Sequence, residues 1–172
     1  MIEEKFRDIS IRGRIAYMLL CLEALLKKNN DTRQGWDYLL EKFWMYTNIE
    51  FLDDWQDIAA ELLPDSIEEV SDFESGEFEY LDKENFYSIK LLYSKINEEH
   101  SELIETIYFM GTLELFGALV NNGEQSLKYL KKAHTLFKKN QIKFPAISSV
   151  SRFNFYKNNG WGEPFRREDI II

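Results

Sequence analysis

The chain predicts an all-α fold, a single-domain helical bundle of about six or seven helices with an irregular aromatic C-terminal segment packed over it. Three observations carry that expectation. Apolar residues recur at steps of three and four through most of the sequence, the spacing of one helix face. No stretch alternates apolar and polar residues long enough to argue for a sheet. Three prolines and eight glycines in 172 residues leave room for long helices. A content of 45% hydrophobic and 15% aromatic residues supplies a core without staples. With no convincing internal repeat, residues 1–172 read as one domain, of which 141–172 form the irregular segment.

Each element has its own signal. Ile11, Ile15, Met18, Leu22 and Leu25 mark a first helix. Because it is apolar nearly all round between Ile15 and Leu22, it belongs at the centre of the bundle. Asn29-Asn30-Asp31 ends it, and Asp31 or Thr32 can cap a second helix. There Trp36, Leu40, Phe43 and Thr47 share a face, flanked by Leu39 and Trp44. A third helix is expected from near Glu50 to Pro64, burying Phe51, Trp55, Ile58 and Leu62. Ser66 and Glu69 offer a capping box for a short helix, and Glu74 to Tyr80 read as a loop. Phe86, Ile89, Tyr93 and Ile96 mark a further helix ending near Asn97. The next is expected from about Glu99 to Val120, with Leu103, Ile107, Met110, Leu113 and Val120 inward. The last carries Leu127, Leu130, His134 and Phe137 inward and Lys128, Lys131, Lys132, Lys138 and Lys139 outward, with its periodicity stopping after Asn140. Beyond it Phe153, Phe155, Tyr156, Trp161 and Phe165 are too many aromatics to leave in water, so the tail is expected to fold back on the helices.

Several function classes lose support at this level. The lone Cys21 excludes an intramolecular disulfide and sits in the apolar helix, where it reads as a small buried hydrophobe. His100 and His134 stand far apart, with no second ligand at metal spacing. Gly111 and Gly117 interrupt an apolar helix and read as close-approach positions, not as a phosphate loop. Glu114, in the same run, reads as a structural carboxylate if Arg14 meets it and as a functional one otherwise. The lysine stripe from Lys128 to Lys139 reads as a solvated helix face in an acidic chain, so no nucleic acid is expected. No run reaches the roughly 18 apolar residues of a membrane span. The leader before Ile15 carries Glu3, Glu4 and Asp8, unlike a secretory signal, so a cytoplasmic protein without membrane contact is expected. No catalytic residue, metal or cofactor is assigned.

Charge is where the chain is unusual. Between Glu50 and Glu84 stand fourteen carboxylates and one lysine, Lys83, a net −13 in a chain whose total is −9. The rest of the molecule is therefore net positive. Large apolar groups are interleaved, which a solvating tail would lack. On the third helix Glu50, Asp54, Asp57 and Glu61 form a stripe one position behind the apolar face. Like charges at that spacing oppose the helix by about 0.2–0.5 kcal/mol per pair. Three readings stand open: a solvated surface, a patch that pairs with the protein's own basic C-terminal part within a monomer or across a homodimer, or a docking face for a basic partner. The candidate partner-binding residues are Glu50, Asp53, Asp54, Asp57, Glu61, Asp65, Glu68, Glu69 and Asp72, with Phe78 and Tyr80 as exposed apolar anchors. Magnesium on Asp53, Asp54 and Asp57 is too unspecific to assign.

Arg14-Ile15-Ala16-Tyr17 opening an apolar helix with Glu23, the Trp36 to Trp44 segment and the terminal Gly160-Trp161-Gly162 together resemble the helical immunity proteins of bacterial polymorphic toxin systems, closest to immunity family six. The resemblance covers most of the chain. It implies a small, mostly helical cytoplasmic protein without enzymatic activity that binds and neutralises a cognate protein toxin. It carries over no defined set of inhibitory residues. If the toxin is a basic nuclease, the carboxylates would stand where substrate phosphates otherwise bind. The competing expectation is a self-associating helical regulatory or scaffold protein without a toxin partner.

Overall fold

The computed structural model describes residues 1–139 and 141–170. The expected end of the last helix at Asn140 and the final two positions of the C-terminal segment, 171 and 172, lie outside them. Among the described residues the chain forms eight α-helices: α1 (Ile2–Phe6), α2 (Ile11–Lys28), α3 (Trp36–Trp44), α4 (Leu52–Ala60), α5 (Pro64–Glu68), α6 (Lys83–Tyr93), α7 (Glu98–Thr112) and α8 (Glu124–Lys139). Extended pairing among them is confined to one isolated antiparallel bridge, Ile9 with Asn154. The all-α expectation holds. The added element is α1, whose five residues are too short to show a period.

The all-round apolar run fixes the centre of the molecule. Every residue of α2 from Ile11 to Leu22 is buried, and α7, α8 and α3 pack around it. Ser10 caps the helix, its Oγ accepting the Gly13 N–H at 3.1 Å. The two arginines in this stretch are buried with it. Arg14 donates from Nε to the Phe6 carbonyl (3.2 Å), and from its terminal nitrogens to the carbonyls of Arg7 and Gly123 (3.1 Å each) and to Ser126 Oγ (2.6 Å). It thereby joins the α1–α2 turn to the start of α8. Glu114 lies close by and steadies the Arg14 charge electrostatically, while burial pulls that guanidinium down to about 10. No direct bond joins the two: one Glu114 oxygen accepts the Gln125 N–H at 3.4 Å and the other has no partner. Glu114 therefore neighbours Arg14 without the direct pairing that would have made it structural, and burial raises its pKa.

Several boundaries differ from the periodicity. Gly35 precedes α3 in the left-handed region (φ +101°), and Asp31 bonds Arg33 instead of capping the helix. Of the expected face, Trp36, Phe43 and Thr47 are buried but Leu40 is only half-buried, and the flanking Leu39 is fully buried. Phe51 is extended and precedes α4, so its ring leaves the apolar stripe and is 58% exposed. Trp55 and Leu62 are buried as expected, Ile58 is half-buried and Ala59 is buried with them. Trp55 meets Phe43 and Tyr46 edge-on, and a Cβ on Gly111 would stand 2.9 Å from its ring. That close approach explains Gly111. It does not explain Gly117, where a Cβ would meet nothing within 4 Å. The capping box at Ser66 is absent: α5 begins at Pro64, which needs no N–H partner there, and Ser66 Oγ donates to the Ala60 carbonyl at 2.7 Å.

The largest departure is α7, which stops at Thr112. The Thr112 hydroxyl turns back onto the Tyr108 carbonyl at 3.0 Å, and the chain continues as turns into Asn121 and Asn122, both at positive φ. Leu113, Phe116 and Val120 are consequently 50%, 82% and 61% exposed. Apolar spacing cannot mark such an end, because a run of apolar residues fits turns as well as helix. The tail does fold back. Phe153 and Phe165 stack with centroids 3.5 Å apart, the Phe165 N–H reaches the Thr47 carbonyl, and the Trp161 carbonyl accepts the Arg12 N–H at 3.2 Å, capping α2 from outside. Gly162 (φ +84°) permits this, since a Cβ there would lie 2.4 Å from Ser10 Oγ.

Candidate functional site

The acidic segment wraps one side of the molecule. Asp53 and Asp54 occupy the first turn of α4, where its amide ends favour negative charge. Asp57 follows one turn later, and Asp65, Glu68 and Glu69 extend the surface along α5. These side chains and Glu50 are exposed. Among the described residues the only ion pair inside the segment is Lys83 with Glu74, at its far end. The other lysine nearby, Lys90, bonds the carbonyls of Ile67 and Val70 at the end of α5, and its charge adds to the bonds from Ser75 that lower the Asp72 pKa. Lys128, Lys131 and Lys132 of α8 pair with Glu124, Glu3 and Glu102, and Arg167 of the tail pairs with Glu23. These four basic residues are thus engaged away from the acidic face.

Tyr80 stands in the middle of that face, 42% exposed. Its phenol is pushed up chiefly by Glu79, then by partial desolvation and by Asp57, Asp54 and Glu61. The Glu61 carboxylate holds this loop against the end of α4, so Tyr80 and the α4 carboxylates share one face although they lie some twenty positions apart in the chain.

Three of the expected site residues have structural work. Glu61 does not stand free on the stripe. Its carboxylate accepts three consecutive main-chain N–H groups, from Glu79 (2.7 Å), Tyr80 (3.0 Å) and Leu81 (2.8 Å), and clasps the loop that presents Tyr80. Asp72 caps the 3-10 turn Phe73–Ser75, accepting the Ser75 N–H at 2.9 Å, and the bonds from Ser75 lower its pKa. Phe78 is not an exposed anchor. Half-buried, it packs between Phe73 (centroids 5.7 Å apart) and Phe86 (5.2 Å), because the 3-10 turn folds the loop onto α6.

The exposed apolar groups lie elsewhere. A cleft of about 440 Å³ opens between the start of α4 and the turns after α7, bordered by Phe51, Phe116 and Trp161 together with Glu50 and Asp53. Arg12 lines it. This guanidinium, 2% exposed, donates to the carbonyls of Tyr46 and Ile49, and its Nε–H has no acceptor. Sequence reading missed this cleft because it needs Phe51 outside α4 and α7 ended early. The signal available was Arg12 and Arg14 inside a run whose neighbours all bury.

The groups a catalyst would use are differently placed. Cys21 is buried beside Tyr17, and desolvation pushes its thiol well above the ordinary range. His100 is buried where α2, α3 and α7 meet, with Nε2 3.3 Å from the Asn29 amide nitrogen and Nδ1 3.8 Å from Asp31. His134 is half-buried and stacks on Phe144 at 4.5 Å. Among the described residues no three His, Cys, Asp or Glu side chains group as metal ligands, and no helix is long and apolar enough to cross a membrane. No protein-family model matches the chain, and neither a curated protein nor a solved structure does.

Proposed function

We propose that the acidic face of α4 and α5 binds a basic surface on a partner protein, and that the protein is an immunity protein which neutralises a cognate toxin in this way. The reading is one of stoichiometric binding, without catalysis. The observation that carries it is the row of exposed carboxylates on α4 and α5, Asp53, Asp54, Asp57, Asp65, Glu68 and Glu69, with no cation on them among the described residues and with exposed Tyr80 held beside them by the Glu61 clasp. Such a face raises the encounter rate with a basic partner and fixes its register, while an aromatic ring at its centre supplies contact area. A nuclease toxin would present a phosphate-binding surface of the complementary sign. The competing reading is self-association of the acidic face against the basic part, in which the exposed Lys128, Lys131 and Lys132 would have to exchange their partners within the chain.

The test is the double charge reversal Asp54→Lys, Asp57→Lys, leaving the Glu61 clasp intact. On co-expression with the neighbouring gene product, wild type is expected to restore growth. The association rate of the purified pair should fall about tenfold or more in the double variant, and wild-type association should slow with added salt. An unchanged rate in a folded variant would refute the acidic interface. A change in oligomeric state in place of a change in toxin kinetics would favour self-association.

A further inference from the structure

We infer that the cleft between the start of α4 and the turns after α7 is the specificity pocket of that same face, and that it receives an apolar side chain flanked by lysine or arginine on the partner. The inference rests on the proposed binding reading and adds to it the chemistry of the segment that binds. Two independent features meet in the cleft. Its volume, about 440 Å³, falls within the roughly 300–1,000 Å³ of ligand clefts. Its walls are large apolar rings with nothing covering them: Phe51 and Phe116 are 58% and 82% exposed, and Trp161 is half-buried beside them. Two such rings facing one concavity are what an aromatic or aliphatic anchor would cover.

Charge then selects the occupant. Glu50 and Asp53 border the cleft, and among the described residues neither forms an ion pair. An anchor flanked by acidic residues would be repelled there, whereas a neighbouring lysine or arginine gains attraction and steering. The partner segment is therefore basic–apolar–basic in extended or turn conformation, its apolar side chain between Phe51 and Phe116.

Gly117 provides a test that touches no charge. A Cβ there meets nothing within 4 Å and its φ is not in the left-handed region, so Gly117→Phe can fill the cleft mouth without disturbing the core. The probe is the blocked tripeptide acetyl-Lys-Phe-Lys-amide, followed by NMR on the full chain at the Trp161 indole N–H. Wild type should show saturable shifts there, at least tenfold weaker with acetyl-Lys-Gly-Lys-amide and with acetyl-Glu-Phe-Glu-amide. Gly117→Phe should lose the Trp161 shift while keeping its melting temperature. Equal binding of the glycine or the glutamate peptide would overturn the inference. So would shifts confined to the Tyr80 loop, or none at about 10 mM peptide, well above the millimolar range of a weak ligand. None of these outcomes touches the acidic-face reading, which stands or falls on the association rate of the Asp54→Lys, Asp57→Lys variant.

Discussion

Replacing Glu61 separates a carboxylate that holds the fold from those that merely decorate it. Its two oxygens accept three successive amides of the loop that carries Tyr80. A hydrogen bond to a charged group contributes about 1.5–3 kcal/mol. The three contributions do not add, because the amides of Glu79 and Tyr80 return to water when the clasp is lost. Only the Leu81 amide, beside a side chain that is 3% exposed, pays for desolvation. One bond's worth, about 2 kcal/mol, is therefore the expected cost of Glu61→Ala. At roughly 2–4 °C per kcal/mol for a chain of this size, the melting temperature should fall by about 4–8 °C. Glu61→Gln keeps the oxygen that serves Leu81 or the one that serves Glu79, and should cost about half. Asp54→Lys and Asp57→Lys should stay within about 0.5 kcal/mol, or gain slightly as like-charge repulsion is relieved. Thermal melts of the four variants, with amide exchange at residues 79–81, check the assignment. A Glu61→Ala protein with an unchanged melting temperature and unchanged protection at Leu81 would refute it.

Three further outcomes follow from the same geometry. Cys21→Ala should fold, keep partner binding and lose about 1 kcal/mol, and wild-type Cys21 should react with thiol reagents only on unfolding; fast labelling of the native protein would show the thiol is not buried as described. Ending the chain at Asn159 removes Phe165 and Ile170, 8% and 6% exposed, and the Trp161 cap on α2. A loss of roughly 4 kcal/mol or more, read as a melting temperature lower by about 8 °C or more, is expected, and an unshifted melt would mean the tail is not part of the core. His100 is held below its ordinary 6.5 by burial, with Asp31 opposing. The unfolded chain therefore binds this proton first as pH falls, so stability from neutral His100 is complete above about 6.5 and is lost below it. Melts between pH 7.5 and 5 should show that decline, and His100→Gln should flatten it relative to wild type; an unchanged slope in His100→Gln would contradict the assignment.

What the amino-acid sequence determined by itself was whatever depends on neighbours along the chain. The all-round apolar run of α2 required a central helix, and burial of every residue from Ile11 to Leu22 follows from it. The aromatic tail required a surface to cover, and the bonds of Phe165 to Thr47 and of Trp161 to Arg12 show it covering one. The excess of carboxylates between Glu50 and Glu84 was equally plain, since charge can be counted without a fold. Tertiary structure decided which of those carboxylates are free. Glu61 and Asp57 share one stripe and one residue class, yet Glu61 is consumed by three amides brought to it from 79–81, a contact between segments that no helical period encodes. The same holds for the apolar groups: Phe78 looked exposed and packs on Phe86, whereas Phe51, Leu113 and Val120 looked buried and face water. Periodicity reports which side of a helix a residue would take. It is silent on where the helix stops, and the end of α7 at Thr112 and the start of α4 after Phe51 are set by competing hydrogen bonds and packing from distant parts of the chain.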